Sequence, residues 1–437
     1  MKHTLLLLLL CGASFGQTVG LYAFMTTTPP SGSDLSNLQS SVLIPGYAAG
    51  IVIPTSLNGT ISWATIDHCS PYTTNCTHGS YLWGPFDSIV TGIIGSCTAC
   101  KIGIIVQPAS DTSTPTNPNA VTPGYVTNAI DLLTCSSGVG GTSQTPYFQQ
   151  PALWEPAGIA AYQTWAQEVV RHFTNYDGHS ASYWSQVSYV RFGLFIGGEA
   201  TIPCPYEATT TLGSYNLTVP VTSAYVTALF SSVTALSPTF KVQGPMYGGN
   251  TVLNPAYCGI GVGFGACITQ AYPDAEAASE VASGAGIGAE SLGMENVIWY
   301  AEGQLCLGDA CGLFNTYSWT APIFDWQTYK ISDPTCEPWV NPTTCNGGPT
   351  GSLVNLLPFA TIRMHAGENP NRLTALEIFW QDWMCAYYGS VQSYCPYSYP
   401  NTDLSYQAAL ANAAVGVPNS TSSAAGKAAI SGGAAIY

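Results

Sequence analysis

Alternation constrains this chain more than any other feature. Apolar runs of strand length follow one another, and most are separated by a stretch whose apolar residues recur at helical spacing. The runs are VGLYAFM (19–25), AGIVIPTSL (49–57), KIGIIVQPAS (101–110), YVRFGLFIGGEA (189–200), FKVQGPMYGG (240–249), GIGAESLGM (286–294), APIFDWQTY (321–329) and ALEIFWQDW (375–383). Helical patterns cover 86–97, 156–173, 221–236, 274–285, 352–367 and 403–416, with Pro358 kinking or starting the fifth. A Pro/Thr/Asn/Gly-rich loop covers roughly 111–150. Eight strands alternating with helices predict the α/β class, a (β/α)8 TIM barrel. The main competitor is a doubly wound open sheet, which usually carries a glycine-rich phosphate loop near its first strand. The stretch CGIGVGFGAC (258–267) has the glycines but lacks the G-x-G-x-x-G spacing and is bracketed by cysteines.

The length of 437 residues suits a single barrel with long loops. Residues 17–416 are expected to form it. Residues 1–16 read as a secretory signal peptide: Lys2 and His3, then six leucines, then small residues before Gln17. An Ala/Ser/Gly-rich tail fills 417–437. No later run has the length and apolarity of a membrane span. A secreted, extracellular, monomeric protein is expected.

The chain has 15 cysteines, 14 without Cys11. An even number in a secreted chain points to disulfides. Close spacing groups Cys69/Cys76, Cys97/Cys100, Cys258/Cys267, Cys306/Cys311, Cys336/Cys345 and Cys385/Cys395, and leaves Cys135 and Cys204 free to pair. The loops are thus expected to be disulfide-stapled. The C-x-x-C at 97–100 follows a helix and precedes a strand, the reverse of a redox centre. It has no companion motif for zinc, so no metal and no cofactor are expected.

Charged residues make up 8% of the chain, with a formal net charge of −15. Nine basic residues cannot build a phosphate-binding stripe, which argues against nucleic acid as a partner. Near pH 3 most carboxylates would be protonated and the surface nearly uncharged, which suits an acidic surrounding. A neutral surface rich in Ser, Thr and Gly is the plainer account. No G-x-S-x-G elbow of a serine esterase occurs after the signal segment.

With carboxylates so sparse, their placement carries weight. On the fourth run, Val190, Phe192, Leu194 and Ile196 share an apolar face expected to pack on helices. Tyr189, Arg191, Gly193, Phe195, Gly197 and Glu199 share the other, expected to line the barrel. Glu199 is then expected at the C-terminal mouth, where such barrels carry their chemistry. Asp325 shares a face with Ile323 and Gln327, and Glu290 with Gly286, Gly288 and Leu292. Glu377 lies early in its run and so deeper. Asp382 comes later, near Trp380 and Trp383.

Paired carboxylates across an aromatic-lined cleft suit glycosidic bond cleavage: one protonates the leaving oxygen, the other stabilises or attacks the anomeric carbon. Glu199, Asp325 and, as substitute, Glu290 are the catalytic candidates. Tyr247, Trp326, Gln327, Trp380 and Asp382 are candidates for binding a polysaccharide or oligosaccharide. A strand-end Glu can also simply bridge loop amides, Asp325 can cap a turn, and a Trp can be plain core. His172, beside Arg171 on a helix, is expected at the surface.

The stretch from YAAGIVIPTSLNGTISW through GPFDSIVTGII and KIGIIVQP to YVRFGLFIGGEA resembles the clan A glycoside hydrolases over about 45–385. The resemblance implies a barrel enzyme with an acid/base Glu after strand four and a nucleophilic Glu after strand seven. Glu199 matches the acid/base, and Trp380 the strand-eight aromatic under the sugar. Gly198 stands where the clan has Asn, and Asp325 is the nearest carboxylate to the strand-seven Glu. These departures leave two readings open: a secreted glycoside hydrolase acting on an extracellular polysaccharide, or a non-catalytic carbohydrate-binding barrel or surface protein derived from one.

Overall fold

The computed structural model describes residues 20–25, 32–44, 48–55, 62–67, 79–97, 100–109, 121–134, 149–174, 185–195, 200, 202, 204, 208–209, 211–236, 241–246, 271–292, 324–328, 375–380 and 383–384. Among the described residues, eight parallel strands close into a barrel. They are β1 Gly20–Phe24, β2 Gly50–Pro54, β3 Lys101–Val106 and β4 Val187–Phe192. β5 Lys241–Met246, β6 Gly286–Leu292, β7 Phe324–Thr328 and β8 Ala375–Phe379 follow. Each pairs with the next, and β8 closes on β1 from Gly20↔Ala375 to Phe24↔Phe379. The (β/α)8 expectation holds.

Among the described residues, helices connect the strands from β1 to β6. They are α1 Gly32–Leu38, α2 Trp63–Ile66, α3 Gly84–Ser96 and α4 Gly124–Thr127, then α5 Pro156–His172, α6 Val219–Thr234 and α7 Ala271–Ala282. Their starts are chemically marked. Ser62 and Thr65 form a reciprocal capping box on α2, and the Thr218 hydroxyl accepts from Val221 N at the start of α6. Proline in the first turn of α3, α5 and α6 costs no hydrogen bond, because those N–H groups have no helical partner.

A parallel barrel buries both faces of its strands, so β2 and β4 are buried along their whole length. Ile51, Ile53, Ile102, Ile104, Val190, Phe192 and Ile287 pack in the layer between strands and helices. Tyr22, Val52, Ile105 and Tyr189 form a separate cluster inside. A bulge shifts the β3–β4 register from Ile102↔Val187 to Gly103↔Tyr189 and leaves Ser188 as the extra residue. Ser188 therefore joins Tyr189 on the inner side, where its Oγ lies 3.1 Å from the Tyr22 hydroxyl. Gly103 is required beside it, since a Cβ there would overlap the Tyr189 ring.

Three expectations need correction. Phe195 does not face the interior. β4 ends at Phe192, the Gly193 amide donates to the Val106 carbonyl at 2.9 Å, and the chain bends. Strand alternation stops there, and the Phe195 ring packs on Trp154 (5.8 Å) and Tyr225 (5.9 Å) instead. His172 is not a surface residue. It is 2% exposed, stacked on Trp83 at 3.9 Å, with Nε2 2.9 Å from Asp87 Oδ1 of α3. The segment read as loop up to residue 150 contains α4 and, with Pro151, an antiparallel strand pair, Leu132–Thr134 with Gln149–Pro151.

Cys97 and Cys100 form a disulfide between α3 and β3. Cys204 is also disulfide-bonded, and its sulfur lies 3.9 Å from the Leu133 carbonyl. Cys135 and the other short pairs lie outside the described residues, as do 1–16, the helical patterns at 352–367 and 403–416, and 417–437. Among the described residues no helix is long and apolar enough to cross a membrane.

Candidate active site

The barrel interior is a packed floor. Tyr22 meets Tyr189 edge-on at 5.5 Å, and Phe24 meets Phe379 edge-on at 4.9 Å. Arg191 and Glu377, both wholly buried, join β4 to β8: Arg191 Nη2 donates to Glu377 Oε2 at 2.9 Å. The Tyr189 hydroxyl donates to Glu377 Oε1. Both carboxylate oxygens thus carry a donor, one from a group that never loses its proton. A carboxylate held this way ties β4 to β8 and anchors the floor.

The mouth above it is built by the strand ends. Met25 N donates to Val52 O, Thr55 N to Ile105 O, and Gln107 N to Thr55 Oγ1, which extends the ladder past the C-terminal ends of β1, β2 and β3. Tyr162 and Tyr225, from α5 and α6, donate to the carbonyls of Gly193 and Leu194 at 2.6 Å each. These bonds fix the path of the chain after β4, the segment that leads to Glu199.

Of the candidate residues, Glu199, Tyr247 and Asp382 lie outside the described residues. Asp325 is the second residue of β7, in register with Gly288 and with Ala375, the first residue of β8. Gln327 is level with Glu377, and Trp326 with Ala289 and Leu376. Glu290 lies nearer the C-terminal end of its strand, in the stretch between Ala289 and Leu292 where the β6–β7 register slips. Bulges of this kind recur beside active sites, where they re-aim a side chain. Trp380 directly follows β8 and is 5% exposed, packed in the large apolar cluster with Trp383.

Sequence reasoning missed three groups. The Arg191–Glu377–Tyr189 triad had a signal: Arg191 and Tyr189 share the inward row, and Glu377 was placed deep. The second is a column of rings. Trp63 stacks on Trp165 (6.0 Å), Trp165 on Trp83 (5.4 Å) and Trp83 on His172, all within 9° of parallel. Nearby, Asp67 accepts from Gly79 N (2.7 Å) and Tyr125 OH (2.8 Å). Burial first, then the Asp67 charge, pushes the Tyr125 and Tyr81 phenols well up. The third is a set of carboxyls that burial pushes above the usual range: Glu155, Glu276 and Glu280. Glu155 Oε1 also accepts from Asp131 N at 3.3 Å. Among the described residues no group of three or more His, Cys, Asp and Glu could hold a metal ion.

No protein-family profile matches the chain, and no curated protein matches it in sequence. Solved structures with a similar chain path include the catalytic domain of a β-amylase from Paenibacillus polymyxa, at 7% identity and a TM-score of 0.45, covering 83% of this chain and 93% of that one. Endo-glycoceramidase II from Rhodococcus sp. is similar at 12% identity and a TM-score of 0.38, covering 78% of each chain. A cold-adapted β-galactosidase from Rahnella sp. R3 is similar at 8% identity and a TM-score of 0.36, covering 74% of this chain and 52% of that one.

Proposed function

We propose that this chain is a secreted glycoside hydrolase acting on an extracellular polysaccharide, with Glu199 as general acid/base. The observation that supports it is the division of the barrel's carboxylates. Glu377 is fully engaged in the floor. The carboxylates left for chemistry are those at or after strand ends, where barrel enzymes keep their reacting groups. The register favours Glu290 over Asp325 as the second carboxylate, because Glu290 stands closer to the C-terminal end of its strand. One carboxyl would protonate the leaving oxygen while the other stabilises or attacks the anomeric carbon.

The experiment is release of reducing ends from a panel of glycans between pH 3 and 6, with Glu199→Gln as control. Gln keeps the shape and removes the proton, so turnover should fall by at least about 10²-fold, the usual lower worth of general acid–base help. Wild-type rates from Glu199→Gln would remove Glu199 from the mechanism. Binding without cleavage of any glycan would make the chain a carbohydrate-binding barrel, with Glu199 an acceptor for sugar hydroxyls.

A further inference from the structure

Helix α7 carries Glu276 and Glu280 one turn apart, and both are buried rather than facing water. Glu280 is 0% exposed, and among the described residues neither of its oxygens has a hydrogen-bond partner. Its head lies against Gly244 in the middle of β5. A Cβ on Gly244 would overlap Glu280 Oε1 and come within 2.8 Å of the Phe230 ring. Glycine in a strand interior weakens the strand. Here it leaves the notch that the carboxyl fills.

α7 packs against α6, β5 and β6. α6 brings Tyr225 and no charged residue. β5 brings Lys241, exposed at its start, and β6 brings Glu290. α7 itself adds Tyr272, whose hydroxyl donates to the Leu217 carbonyl, and exposed Asp274. Among the described residues these elements bring no cation but Lys241, and Glu276 adds its own charge against that of Glu280.

We propose that Glu280, seated against the Gly244 notch, and Glu276, buried one turn before it, form a proton-held latch that fixes α7 on β5 in acid and releases it as the carboxyls ionise. An ionised carboxylate in this layer would be buried without a partner, which folded proteins avoid by opening or by staying protonated. The sign follows from burial. Both groups hold their protons more tightly folded than unfolded, so their stabilisation is complete below the ordinary Glu range, about 4.3. It is lost as pH rises through the folded values. The latch stands apart from any sugar chemistry. It acts on β5, which leads to Tyr247, and on β6, which carries Glu290.

The test is hydrogen exchange of peptides covering 271–282, corrected for intrinsic rates, from pH 4 to 8. Wild-type protection of α7 should fall at least about tenfold across that range, the equivalent of one pKa unit of differential protonation. Glu280→Gln, which cannot ionise, should remove most of that fall, and Glu276→Gln with Glu280→Gln should remove the rest. A flat wild-type profile, or an unchanged fall in Glu280→Gln, overturns the latch. Gly244→Ala supplies a second arm should the amide variants not fold. It should cost α7 protection even at pH 4, and that cost should shrink in a Glu280→Ala background. A harmless Gly244→Ala would show that the notch does not hold Glu280.

Discussion

Replacing Arg191 by methionine tests the barrel floor directly. Glu377 is 0% exposed and receives a charged donor at 2.9 Å from Arg191 and a neutral one from Tyr189. Methionine matches much of the arginine stem and supplies no donor. The carboxylate would then be stranded in the barrel with only the tyrosine. Breaking a buried pair by removing one partner costs about 3–5 kcal/mol, because an uncompensated charge remains. That range corresponds to a fall of about 10²- to 10³·⁵-fold in the folded-to-unfolded ratio. Replacing both partners, Arg191→Met with Glu377→Leu, removes the charge together with its partner and should bring stability back to within about 1–2 kcal/mol of wild type, or above it. Tyr189→Phe removes one hydrogen bond to a charged group and should cost about 1.5–3 kcal/mol. The assay is equilibrium unfolding in urea with disulfides intact. An Arg191→Met variant within about 1 kcal/mol of wild type, or a double variant no better than the single, would refute the pairing as the element that joins β4 to β8.

Gly103→Ala should destabilise by about 1–3 kcal/mol, the usual cost of overpacking a core, because its Cβ would overlap the Tyr189 ring. The penalty should shrink in a Tyr189→Leu background, and equal penalties in both backgrounds would put the strain elsewhere. Removing the Cys97–Cys100 disulfide as a double serine variant should cost about 2 kcal/mol by loop entropy, since the closed loop is so short. Thermal melting measures the cost, and an unchanged midpoint would make the staple ornamental.

The barrel was readable because strands buried on both faces are apolar along their length, while the helices between them carry a different period. The helix limits differ for a physical reason. The expected starts at 86, 221 and 274 fall just after Pro85, Pro220 and Pro273, whereas α3, α6 and α7 begin just before those prolines. A proline looks like a breaker in sequence but is harmless in a first turn. The C-terminal end of α7 is written locally, in Gly284 with φ of +81°. Long-range pairing is not written locally. Glu377 meets Arg191 across 186 positions, and His172 meets Asp87 across 85. The charged neighbour Arg171 made His172 look solvated, while its actual partner belongs to another helix. The β3–β4 bulge was equally invisible, because one inserted residue leaves the apolar count unchanged while turning Ser188 inward. Of the candidate site, the inward row of Tyr189 and Arg191 was readable. Its use as a floor needed the partner from β8.

Among the described residues, two kinds of buried glutamate stand out, and the scarcity of bases explains the second. With nine Lys and Arg against 24 Asp and Glu, few acids can be neutralised by a cation. Glu377 has Arg191. Burial instead pushes the carboxyls of Glu155, Glu276 and Glu280 above the usual range. Raised values make protonation a source of stability, so these three groups strain the fold as pH rises rather than as it falls. A protein whose buried acids behave this way keeps its packing in the acid range in which the proposed mechanism needs Glu199 to hold its proton. Acid stability and general-acid catalysis by Glu199 would then share one operating window. A pH–rate profile that peaks above neutrality while α7 loosens over the same range would separate them, and would count against Glu199 as the proton donor.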